Sequence, residues 1–238
     1  MGYKIKINKM PYIGEVQKLG DFLISDKTFF NVFIRSINVK KNDISAHIEN
    51  RYVSAKIVTK EKYDEFNILW NNFNAVVKSG KAKQGDLLEY IVTKIKKPLK
   101  LDFKNLDYEN ECIIYDGESL VNICSNNCNV DVVLYNLDNV TIDEDYICFE
   151  KDIEFLECKQ DINTFVYILK GDRVNKHTQD KLTMFKELNT KINRDDVKYI
   201  FPSFVAPGRF QINYLKRKGY DFIDIVDGAE LESIFFAQ

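Results

Sequence analysis

The chain has 238 residues, 45% hydrophobic and 29% charged, with 34 Lys and Arg against 36 Asp and Glu. That is ordinary for a globular protein of one generous domain or two small ones. It contains no run of about 18 apolar residues, which excludes a membrane-spanning helix of the usual length. Lys4 and Lys6 fall where a signal peptide needs its apolar segment. Gly2 opens only a poor myristoylation match, so a cytoplasmic protein is expected. Five cysteines, at 112, 124, 128, 148 and 158, are an odd number without secretory context, and reduced thiols are expected. Cys124 and Cys128 flank Ser125-Asn126-Asn127 at a spacing zinc sites use, but there is no second pair and His47 and His177 lie far off. A polar hairpin turn is the better expectation.

The near-neutral total hides an asymmetry. Residues 1–100 carry 19 Lys and Arg against 10 Asp and Glu, whereas residues 101–238 carry 15 against 26. Of the acids, 15 fall between positions 102 and 157, beside only Lys104 and Lys151. A basic half beside an acidic centre suits a polyanion-binding surface next to a divalent-cation site; an unevenly charged solvated surface is the competing explanation.

In chain order, residues 3–7 alternate and predict a strand, and residues 13–24 place Val16, Leu19, Phe22 and Leu23 at helical spacing. Residues 28–39, rich in Phe, Val and Ile, read as a strand. A turn at 40–43 leads into a second strand-like stretch, 44–58. Residues 63–77 repeat apolar residues every three or four positions and predict a helix. Residues 1–78 are thus expected to form a small N-terminal α+β module for targeting or partner contacts, and 79–85 a polar linker. A helix over 86–96 follows, ended by Pro98, with Asp86 and Glu89 spaced as a capping box and Glu89 at the rim of the apolar stripe. Strands are expected at 112–115, 119–124 and 130–135 as an antiparallel meander. A polar excursion at 136–145 separates these from strands at 146–150 and 153–158. A helix over 178–192, a strand over 197–201, a basic helix over 208–218, a strand over 220–226 and a closing helix from Asp227 complete the chain.

The stretch from Ile153 to Gln160 organises the rest. Side chains two apart on a strand share a face, so Phe155, Glu157 and Lys159 point one way and Glu154, Leu156 and Cys158 the other. A carboxylate and an ammonium aligned beside apolar residues are costly unless they pair, bind a metal or do chemistry. A salt-bridged strand end would satisfy the same pattern. Neither histidine lies near a Ser or Cys in a nucleophile motif, and there is no glycine-rich phosphate loop.

Glu89 on a helix, Asp131 at a strand start, and then Glu157-Cys158-Lys159 fall in order on helix, meander, helix, strand, helix and strand. Over residues 80–238 this resembles the PD-(D/E)XK nuclease superfamily, with Val130 where the family often has Pro. The resemblance implies an α/β restriction-endonuclease-like core, a mixed central sheet flanked by helices, over residues 79–238. It implies a Mg²⁺-dependent (Mn²⁺-tolerant) phosphodiesterase, most naturally a DNA endonuclease of restriction or antiviral-defence type. Glu89, Asp131, Glu157 and Lys159 would be catalytic. Asp131, Glu157 and the Cys158 main-chain carbonyl would hold the metal, and Lys159 would orient or deprotonate the attacking water. Gln179, Lys181, Arg209, Lys216 and Arg217 are secondary nucleic-acid contacts, and a homodimer or larger defence complex is an expected partner state. The long interval from Asp131 to Glu157 requires an inserted hairpin or loop at 136–145; Asp138 and Asp152 compete for the place of Asp131. Two readings stand beside this one, an inactive nucleic-acid-binding or complex-forming subunit of the same fold, and a Toprim-like domain, for which no Asp-x-Asp follows a suitable strand.

Overall fold

The protein is described here as a computed structural model covering residues 3–6, 11–37, 43–117, 119–120, 129–143, 145–169, 171–192 and 194–237. The expectations for Cys124 and Cys128, and for most of the turn at 40–43, lie outside the described residues. The fold is α/β, with a mixed and largely antiparallel sheet between two helical layers.

Ten strands build the sheet: β1 (Tyr3–Lys6), β2 (Leu106–Asp116), β3 (Ser119–Leu120), β4 (Val130–Asn136), β5 (Val140–Asp143), β6 (Tyr146–Phe149), β7 (Ile153–Leu156), β8 (Lys159–Asp161), β9 (Val197–Val205) and β10 (Ile223–Val226). Their order is β10-β9-β7-β4-β2-β1-β6-β5, with β3 on β2 and β8 on β9. The β10, β9 and β7 strands are parallel, as are β8 and β9, and the remaining pairings are antiparallel. The polar excursion at 136–145 is partly ordered into regular structure. Residues 137–139 make a short 3₁₀ turn, and β5 and β6 form a hairpin that joins the far edge through β1.

Central strands buried on both faces read as continuous apolar runs. In β4, Val132 and Leu134 enter one core while Val133 and Tyr135 enter the other; in β7, Leu156 and Phe155 divide in the same way. The first core is roofed by α1 (Gly14–Ser25), α2 (Lys27–Ile37), α3 (Ile44–Ile48), α4 (Lys60–Lys78), α5 (Asp86–Val92) and α9 (Gly228–Phe236). The second lies under α6 (Ile162–Phe165), α7 (Lys176–Lys191) and α8 (Arg209–Arg217). Residues 1–78 therefore supply a sheet strand and most of one helical layer, in one apolar core with Val132, Leu156 and Ile200.

Two stretches expected as strands are helical. Residues 28–39 fall mostly on α2, because Phe29, Phe30, Val32, Phe33 and Ile37 bury one face while Lys27, Thr28 and Arg35 remain exposed. β-branched and aromatic content suggested a strand, and the 3.6-residue burial period overrides it. Residues 44–58 begin as α3 and continue in a π-helical turn, Glu49–Val53, with Ile44, Ile48 and Tyr52 buried. The helix from Asp86 ends at Val92, short of its expected extent, and makes no capping box. Gly85 holds the cap position and Asp86 accepts from the Lys83 N–H. The expected linker caps α4 and then forms a wall of the cleft described below.

Glu154, on the α5 side of β7 and fully buried, accepts the main-chain N–H groups of Leu99 (2.7 Å), Lys100 (2.6 Å) and Leu101 (2.7 Å). It ties the segment after α5 to the strand that leads to Glu157. Glu154→Ala would strand three donors, each costing ~1–3 kcal/mol when buried without a partner. A loss of at least ~3 kcal/mol in urea denaturation is expected, and a loss below ~1 kcal/mol would mean that the clamp carries little.

Candidate functional site

The site sits at the end of the sheet where β4 begins and β7 ends, strands that run antiparallel and so bring Asp131 beside Glu157. By alternation Asp131 follows the face of Val133 and Tyr135, and Glu157 follows that of Ile153 and Phe155. Both carboxylates therefore lie on the α7 side. Glu157 stays registered with the sheet through its N–H to the Ile200 carbonyl, 3.0 Å. Cys158 turns its thiol into the opposite core, and burial pushes that thiol's pKa well up, so it stays protonated.

Two ammonium groups span the two carboxylates. Lys159 Nζ lies 2.6 Å from Glu157 Oε1 and 3.3 Å from Asp131 Oδ2, and 5.0 Å from the centre of the Phe165 ring. Lys181 Nζ, from α7, lies 2.8 Å from Glu157 Oε2 and 3.5 Å from Asp131 Oδ1, and also donates to the Asn129 carbonyl. The Cys158 N–H donates to Asp131 Oδ2 at 2.8 Å. Glu157 is fully buried, and its two carboxylate oxygens each face one ammonium, Oε1 that of Lys159 and Oε2 that of Lys181. Burial alone would lower the pKa of Lys159, but Glu157 and Asp131 outweigh it and hold the ammonium above the usual lysine range. The same balance, with Lys159 opposing, raises Lys181.

These groups line a cleft of about 390 Å³ with Lys83, Gly85, Glu89, Glu111 and His177 among its walls. Glu89 reaches in from α5, almost fully buried. Burial, and then the charges of Asp131, Asp86 and Glu111, push its carboxyl pKa up to about 9. The Lys159 ammonium opposes this shift, and burial still favours the neutral carboxyl, which lessens its repulsion by Asp131. Opposite Asp131, β2 is kinked at Glu111, whose φ of +52° breaks the pairing between Asn110↔Val132 and Cys112↔Val130. A left-handed non-glycine residue costs ~1–2 kcal/mol, and such strain concentrates at functional sites.

Gly85 keeps the wall open. A side chain built there would begin 3.4 Å from Glu89 Oε1 and 4.0 Å from the Cys158 carbonyl oxygen, so both oxygens face one small space. The groups that could hold a hard cation are Asp131, Glu157, Glu89 and the Cys158 carbonyl. Among the described residues, no three His, Cys, Asp or Glu side chains are already gathered as a ligand set. The lysine ammoniums stand between the carboxylates instead.

The structure thus brings together Glu89, Asp131, Glu157, Cys158, Lys159 and Lys181. Gln179 is exposed on another face of α7, bonded to Thr183 and Tyr220 (both 3.2 Å). Arg209, Lys216 and Arg217 are exposed on α8 and do not line the cleft, and Arg217 pairs with Asp172 at 2.9 Å. Asp152 is engaged by Asn136 and Asn139, and Asp138 by Asn105, so neither takes the place of Asp131. The sequence reading undervalued Lys181. Its signal was present, since Thr178, Lys181, Leu182 and Phe185 share one helical face and only the lysine is charged.

No family model and no curated protein matches the chain. Among solved structures, protein VC1899 from Vibrio cholerae is similar over 99% of this chain at 14% identity, with a TM-score of 0.46. The chain spans 57% of that protein's length. Among the described residues, no helix is long and apolar enough to cross a membrane.

Proposed function

We propose that the protein is a divalent-metal-dependent nuclease of the PD-(D/E)XK type that hydrolyses phosphodiester bonds, with DNA as the favoured substrate. One observation carries the proposal. Asp131 and Glu157, from neighbouring antiparallel strands, share a sheet face with the Lys159 ammonium between them, 3.3 and 2.6 Å from the two carboxylates. The order α5, β2-β4-β7, α7, β9, α8, β10 supports it, being that expected of a restriction-endonuclease-like core.

The oxygen-rich donor set of Asp131, Glu157, Glu89 and the Cys158 carbonyl, with the space kept open by Gly85, fits a hard cation such as Mg²⁺ or Mn²⁺. When bound, that cation offsets phosphate charge and makes a nearby water more acidic. Asp131, Glu157 and the Cys158 carbonyl would hold it, and Glu89 would add a fourth oxygen once it gives up its proton. Lys159 is charged, so its task is to attract the scissile phosphate and stabilise the charge that develops there. The walls of the cleft position the phosphodiester over these groups and limit access of bulk water.

Plasmid and single-stranded DNA incubated with Mg²⁺ or Mn²⁺ test the proposal. The wild type is expected to cleave, and Asp131→Asn and Lys159→Ala to fall by ~10²–10³-fold, the loss typical when one preorganised charge is removed from a transition state. Cleavage that persists undiminished in both variants rejects the assignment.

A further inference from the structure

Lys159 and Lys181 span the same two carboxylates but are held very differently. Lys181 is 6% exposed and Lys159 is 19% exposed at the side chain. Lys181 rises from the middle of α7, where Thr178, Leu182, Met184 and Phe185 are buried around it. Its ammonium donates to the part-buried Asn129 carbonyl and to the buried Glu157 Oε2, so withdrawing it would leave both acceptors short of a donor. Lys159 contacts the two carboxylates themselves, Glu157 Oε1 at 2.6 Å and Asp131 Oδ2 at 3.3 Å, and Asp131 Oδ2 already accepts the Cys158 N–H.

We propose that the Lys181 ammonium is a fixed internal cation that fills one of the two cation positions between Asp131 and Glu157, so that the site takes a single divalent ion, on the Lys159 side. The inference rests on the metal-dependent reading of the site. Two-metal phosphoryl-transfer sites hold their ions ~3.5–4 Å apart across shared carboxylates. Here the carboxylates that would bridge such a pair already share the Lys181 ammonium, within 2.8 and 3.5 Å. A second divalent ion would have to expel a buried charge tied to a main-chain carbonyl. The first ion need displace only the more exposed Lys159, whose contacts are with the carboxylates the ion itself would take over. Lys181 is in this sense a positioning residue that sets how many ions the site accepts.

The test is an ion count that needs no cleavage. Mn²⁺ binding is measured by equilibrium dialysis of the full chain, with the ions retained by Asp131→Asn subtracted as surface binding. The wild type is expected to bind one ion in the site, Lys181→Gln two, and Lys159→Gln one, held at least about tenfold more tightly because no ammonium competes. Lys181→Arg keeps the charge and is expected to bind one, which covers the case in which Lys181→Gln does not fold. Two ions in the wild type, one in folded Lys181→Gln, or a second ion gained by Lys159→Gln would overturn the inference. No site-specific ion in the wild type would remove the metal-dependent reading itself, and this inference with it.

Discussion

Glu157→Ala is expected to be both inactive and markedly less stable. Glu157 is fully buried and faces two ammonium groups, Lys159 at 2.6 Å and Lys181 at 2.8 Å. Removing one partner of a buried ion cluster costs ~3–5 kcal/mol, and here it leaves two ammonium groups sharing the single carboxylate of Asp131. Urea denaturation followed by fluorescence of Trp70, the sole tryptophan and largely buried in the helical core, reads that loss directly. In the cleavage assay the same variant is expected to lose ~10³-fold or more in kcat, equivalent to ~4 kcal/mol of transition-state stabilisation. A companion variant separates the two losses. Glu157→Leu with Lys181→Met exchanges the buried pair for apolar groups and is expected to recover a large part of the stability with none of the activity. A protein that tolerates Glu157→Ala with less than ~1 kcal/mol lost would show that the cluster is not desolvated as described.

Glu89→Gln is expected to stabilise the metal-free protein, increasingly so at alkaline pH. The folded-state carboxyl has its pKa pushed up to about 9, first by burial and then by Asp131, Asp86 and Glu111, against an ordinary carboxyl of about 4.5 in the unfolded chain. Between those values the folded protein keeps a proton that the unfolded chain releases, so stability falls as pH rises. Below about pH 4.5 both states are protonated and Glu89 costs nothing on this count; above about pH 9 the full penalty is present. At pH 8 a penalty on the order of 5 kcal/mol is expected, and the neutral amide escapes it. Melting temperatures of wild type and Glu89→Gln in chelator should therefore coincide near pH 5 and diverge by pH 8, with the variant higher. A divergence of the opposite sign would mean that Glu89 is charged in the folded protein and already has a cationic partner.

The placement of Glu157 and Lys159 was legible in the sequence because it depends on parity. Two-residue spacing along a strand fixes that Glu157 and Lys159 share a face while Cys158 turns to the core, wherever the strand lies. After residue 86 the longer helices and strands followed in the same way from apolar period and turn residues, whereas β5, inside the expected polar excursion, and β8 and α6, which follow the shortened β7, were not foreseen. The N-terminal third was misread where composition and period disagree. Phe29, Phe30, Val32 and Phe33 are residues strands favour, yet they bury one side of a helix against β9 and α4, where Phe33 packs edge-on to Phe204 and Trp70. Only the sheet face supplied by distant strands decides between those two outcomes. The partners of Lys181 and Glu154 were hidden for a related reason. Each answers a partner far off in sequence, Glu157 from α7 in one case and the main chain at 99–101 in the other. The neutral state of Glu89 likewise requires burial beside Asp131, which helical spacing alone does not disclose.

Anomalous scattering from crystals soaked in Mn²⁺ locates the proposed cation most directly. A peak bounded by Asp131, Glu157 and the Cys158 carbonyl, with the Lys159 ammonium moved aside and Lys181 still on Asn129, is the predicted result. A peak elsewhere on the acidic surface, in a protein that cleaves DNA with Mn²⁺, would contradict it.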